Sequence, residues 1–95
     1  MENDTRYIVV VFYEGIGRTL QTDDKVRIFF SRYAKVYKNL GSAICKANKL
    51  FYQYINEKTC VFKVSLNEEL SCDQYRDWYK DKDRLVWTSE QWLIG

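Results

Sequence analysis

The chain of 95 residues is 46% hydrophobic, 29% charged and 17% aromatic, with a net charge of +2. That makes 1–95 a single soluble domain: a second core does not fit in this length, and the apolar content offsets the ordering entropy that leaves polar chains disordered. No apolar run approaches the roughly 20 residues of a bilayer span, and the start Met1-Glu2-Asn3-Asp4 is acidic where a secretory leader is basic, so a cytoplasmic protein with no membrane partner is expected.

The sequence contains no histidine. Ser-His-Asp and Cys-His nucleophilic sites, the commonest general base near neutral pH and the usual zinc sets all go with it. Cys45, Cys60 and Cys72 form no C-x-x-C pair, and an odd, widely spaced set argues against a disulfide scaffold. They read as small buried hydrophobes in a reducing compartment. No metal, no cofactor and no catalytic residue is expected, and the chain reads as a non-enzyme.

In chain order, Arg6 to Tyr13 (RYIVVVFY) is an unbroken β-branched and aromatic run, the pattern of a strand covered on both faces and central in a sheet. Glu14 to Asp24 holds Gly15 and Gly17 and reads as a loop or hairpin tip. Its G-x-G lacks the third glycine of a dinucleotide fingerprint, since position 20 is Leu20. Lys25 to Phe30 alternates as a half-buried strand pairing antiparallel with the first. Ser31 stands as an N-cap, and the spacing of Tyr33, Val36, Tyr37, Leu40, Ile44 and Ala47 predicts one helix over Arg32 to Lys49. Gly41 inside it marks a close approach to the sheet or a break.

Leu50 to Ile55 fits helix or strand. Thr59 to Leu66 alternates as a strand. Ser71-Cys72-Asp73-Gln74 has the S-x-x-Q form of a capping box, opening a short helix from Cys72 to about Lys80. Leu85 to Thr88 is a last short strand, with Trp92, Leu93 and Ile94 tucked on the core. The order β-β-α-β-α-β describes an α+β domain: an antiparallel sheet of three to four strands, one main helix across one face, and a second short helix.

Charge is distributed unevenly. Residues 1–24 carry net −3 and residues 57–95 net −2, whereas residues 25–56 carry seven bases and no acid. On the expected helix, Arg32, Lys35, Asn39, Ser42, Lys46 and Lys49 step by three or four opposite the apolar stripe, with Lys38 beside them: a basic ridge unrelieved by any i, i+4 acid. It is read either as an ordinary solvated face or as a docking surface for something anionic. Eight tyrosines, five phenylalanines and three tryptophans exceed what one helix-on-sheet layer hides. Phe29, Phe30, Phe51, Phe62, Trp78 and Trp87 are assigned to the core. Tyr52, Tyr54, Tyr75, Tyr79 and Trp92 are assigned to the surface, where Tyr and Trp serve as interface anchors.

A tiny proline- and histidine-free α+β chain rich in Tyr, Asn and Lys, with a strand, then Arg27-Ile28-Phe29-Phe30-Ser31, then a helix with an early alanine (Ala34), resembles the small accessory proteins encoded by bacteriophages. The likeness covers roughly residues 6–66. It implies a stoichiometric binder of host machinery, such as a counter-defence (anti-CRISPR-like) inhibitor acting in the host cytoplasm. Many such inhibitors mimic DNA with an acidic surface, and this mildly basic chain departs from that pattern.

The expected function is therefore non-enzymatic binding of a host protein or nucleoprotein complex through Arg32, Lys35, Lys38, Lys46, Lys49 and Tyr52. The alternative is a nucleic-acid binder using the same tyrosine-rich basic face. A homodimer is compatible with either.

Overall fold

The computed structural model describes residues 4–13, 15–21, 28–29, 34–54 and 57–89. Its elements are β1 (Thr5–Tyr13), β2 (Ile16–Leu20), β3 (Ile28–Phe29), β4 (Val36–Tyr37), α1 (Leu40–Gln53), β5 (Lys58–Ser65), α2 (Cys72–Trp78) and β6 (Leu85–Thr88). All strand pairings are antiparallel. The sheet order is β3-β2-β1-β5-β6, with β4 also paired to β1. The α+β class read from the sequence stands.

Strand β1 is the spine. Ile8, Val9, Val10 and Val11 are all buried, and because successive strand residues point to opposite faces, the sheet must be covered twice. Val9 and Val11 join Leu20, Tyr37, Val61 and Trp87 beneath the buried Ala43, Ala47 and Leu50 of α1. Ile8 and Val10 join Cys60, Phe62 and Val64 beneath Tyr75 and Trp78 of α2. The short helix thus covers a full layer of its own, where one main helix on one face was expected.

That second layer accounts for the aromatics. Phe51, Phe62, Trp78 and Trp87 are core as expected, while the side chains of Phe29 and Phe30 lie outside the description. Tyr75, assigned to the surface from sequence, is fully buried. Ser71 caps α2, its Oγ accepting from the Asp73 amide at 3.3 Å, and this phase turns Tyr75 and Trp78 inward. Tyr75 stacks on Phe62 with centroids 6.2 Å apart, and Trp78 meets both edge-on. Tyr54 and Tyr79 are half-buried.

Within the loop or hairpin tip expected over 14–24, Ile16–Leu20 is strand, and residues 14 and 22–24 lie outside the described residues. Gly15 adopts φ +81°, a conformation that costs a side-chain-bearing residue roughly 1–2 kcal/mol, and the pairing of Tyr13 with Ile16 closes directly behind it. Since β2 takes the lane beside β1, the Ile28–Phe29 strand pairs with β2 instead of with β1. Gly17 serves a different purpose. A Cβ there would lie 2.9 Å from Tyr75 Cβ and Cδ2 and 3.2 Å from Val10 Cγ1, so the missing side chain lets α2 settle on β2.

The expected helix over Arg32 to Lys49 is corrected at its start: α1 begins at Leu40, capped by Asn39, whose Oδ1 accepts from the Gly41 and Ser42 amides at 2.7 and 3.4 Å. Ser31, Arg32 and Tyr33 lie outside the described residues. Val36 and Tyr37 form β4 opposite Ile8 and Tyr7, along the part of β1 that β2 leaves uncovered. In these registers Leu20 and Lys35 both fall opposite Val9, and the Lys35 amide donates to the Leu20 carbonyl at 2.8 Å. So β4 resumes the lane that β2 leaves, and the unsatisfied backbone of β1 outweighs the helical spacing of residues 33–37. Gly41 falls in the first turn under the cap, neither a break nor an approach to the sheet. At the other end, Leu50–Gln53 are helical, which decides the ambiguous stretch.

The remaining strands match their sequence ranges closely. Val86 is skipped by a bulge, Val61 pairing with Trp87 and Phe62 with Leu85. Arg84 then pins the loop after β5: its guanidinium makes two bonds to the Glu68 carboxylate at 3.0 and 2.6 Å and lies 4.1 Å from the Trp78 ring centroid. Trp92, Leu93 and Ile94 lie outside the described residues, as does the expected strand portion Lys25–Arg27. No helix among the described residues is long and apolar enough to cross a membrane.

Candidate functional site: a basic cleft between α1 and β4

Helix α1 has one face for the sheet and one for solvent. Leu40, Ala43, Ile44, Ala47, Leu50, Phe51 and Tyr54 recur at helical spacing and pack on the core, and the small Ala43 and Ala47 bring the axis close to the strands. Ser42, Cys45, Lys49 and Tyr52, at steps of three, four and three, are exposed and lie outward. Cys45 is therefore a solvent-facing thiol and not the buried hydrophobe expected; Cys60 is buried as expected.

Lys46 is half-buried on the flank of α1 that faces β4. With Lys49, Ser42, Cys45 and Tyr37 it lines an open cleft of about 390 Å³. Tyr37, drawn into the sheet by its pairing with Tyr7, is buried and belongs to the layer beneath α1, so it places an aromatic wall where helix and strand diverge. The Lys35 ammonium lies 5.8 Å from the Tyr37 ring centroid. Lys46 and Lys49 thus share the cleft with one buried tyrosine, Lys35 stands near that ring, and neither α1 nor β4 carries a carboxylate. Lysines placed together at one cleft favour an anionic group there.

Of the residues singled out from sequence, Lys46 and Lys49 stand on α1 as expected, and Tyr52, in the stretch that fitted helix or strand, stands there too. Lys35 and Lys38 do not: Lys35 precedes β4 and Lys38 sits in the connection to α1, both exposed. Neither Lys35 nor Lys38 is among the residues that line the cleft, although Lys35 stands near the Tyr37 ring. Arg32 lies outside the described residues. The single basic helix face that was expected is therefore corrected: Lys46 and Lys49 stand on α1, and Lys35 and Lys38 flank β4. Tyr52 is 77% exposed, its ring tilted against Phe51 at 5.7 Å, one turn beyond Lys49.

Tyr37 and Cys45 are the cleft residues that sequence reasoning placed elsewhere. Tyr37 was indistinguishable from a helix-stripe residue until its strand partner was known. The signal for Cys45 was present in its spacing, three residues after Ser42 and four before Lys49 on the polar side of the helix.

A second concavity, lined by Thr5, Lys63, Ser65, Asp81, Asp83 and Arg84, mixes both signs of charge beside the Arg84–Glu68 pin. The pin holds the Glu68 carboxyl below the ordinary carboxylate range, chiefly through the hydrogen bond from Arg84 and also through the Ser65 amide, against the opposing effect of burial. Its bonds are all internal, which suits a fold-fastening role.

No family model, curated protein or solved structure matches the chain.

Proposed function

We propose that this chain is a non-enzymatic, stoichiometric binding protein that docks the α1–β4 cleft and the adjoining Tyr52 onto an acidic surface of a protein partner. The observation that carries the reading is that Lys46 and Lys49 line one cleft with Tyr37, with Lys35 near its ring, all within an acid-free stretch. Like charges brought together on a small domain cost tenths of a kcal/mol per pair, and a partner of opposite sign relieves that cost on docking. An exposed tyrosine beside them supplies the rigid apolar contact that dominates interface energetics. The resemblance to small phage accessory proteins supports a partner in host machinery, and hence an inhibitor of host defence in the host cytoplasm.

A second reading, a nucleic-acid binder, draws on the same Tyr52, since an exposed ring beside a lysine suits base stacking next to phosphate contact.

The test is a paired co-purification from host lysate with the wild-type chain and a Lys35→Glu/Lys46→Glu/Lys49→Glu variant as baits. The proposal expects a protein recovered in about equimolar amount with the wild type and lost with the variant while the variant's circular dichroism is unchanged. Equal recovery by both baits refutes it.

A further inference from the structure

We draw no further inference here: the strongest candidate, the exposed Cys45 thiol beside Lys49 in the cleft of α1 and β4, belongs to the site already described and is a single cysteine with nothing among the described residues that points to a ligand for it.

Discussion

Replacing Gly17 by alanine is the sharpest test of how the two layers are locked together. The added methyl would sit 2.9 Å from Tyr75 Cβ and Cδ2 and 3.2 Å from Val10 Cγ1. Tyr75 Cβ is tied to the backbone of α2 and its ring is clamped by Phe62 and Trp78, so no flexible side-chain tip is available to give way. Relief requires moving α2 off β2, and overpacking of this kind costs about 1–3 kcal/mol. A domain of this length holds roughly 5–14 kcal/mol in all, so the variant folds but weakly. For a loss of ~2 kcal/mol the melting temperature falls by about 8–16 °C. The assay is urea denaturation followed by tryptophan fluorescence, with a lowered midpoint at unchanged slope as the expected result. Gly15→Ala is the control: open space surrounds that position, so only the φ of +81° is penalised, at about 1 kcal/mol. A Gly17→Ala variant as stable as the wild type refutes the reasoning, because α2 would then not rest on β2 as closely as described.

Three further outcomes are expected. Asn39→Ala removes the side-chain acceptor for the first amides of α1 and lowers stability by about 1 kcal/mol, whereas Asn39→Asp retains it; thermal melts distinguish the two. Glu68→Gln lowers stability at neutral pH by about 1 kcal/mol, a charge-assisted bond discounted for partial solvent exposure. Because folding depresses the Glu68 pKa, the wild type's advantage is present above the unfolded carboxylate range and shrinks as pH falls through the folded value, so denaturation midpoints of the two proteins should converge in acid. Lys35→Glu/Lys46→Glu/Lys49→Glu leaves the melting temperature within a few degrees, since none of the three is core, and raises the dissociation constant for an acidic partner by at least a hundredfold.

Strands β1 and β5 were legible because each is a long β-branched run whose period admits no helix. α2 was legible because Ser71 announces its cap. The start of α1 was not. Val36 and Tyr37 satisfy helical spacing with Leu40 and strand propensity equally, and the choice depends on a vacancy along β1 beside Tyr7 and Ile8, a long-range fact that a local window cannot contain. Ser31 was read as the cap of this helix, and the cap of α1 is Asn39. The burial of Tyr75 was hidden for a related reason: only once α2 is known to cover a second sheet face does the chain have room for that much aromatic volume. The lysines belong to a continuous acid-free stretch, and moving the helix boundary took Lys35 and Lys38 off the helix while Lys46 and Lys49 kept their places on α1.

The docking face itself is tested most directly by hydrogen exchange on the chain with and without its captured partner. The account predicts that added protection concentrates in residues 35–53, from β4 through the outer turns of α1, and leaves the amides of α2 and β6 unchanged. Protection confined to α2 and β6, with α1 exchanging as in the free protein, would contradict it.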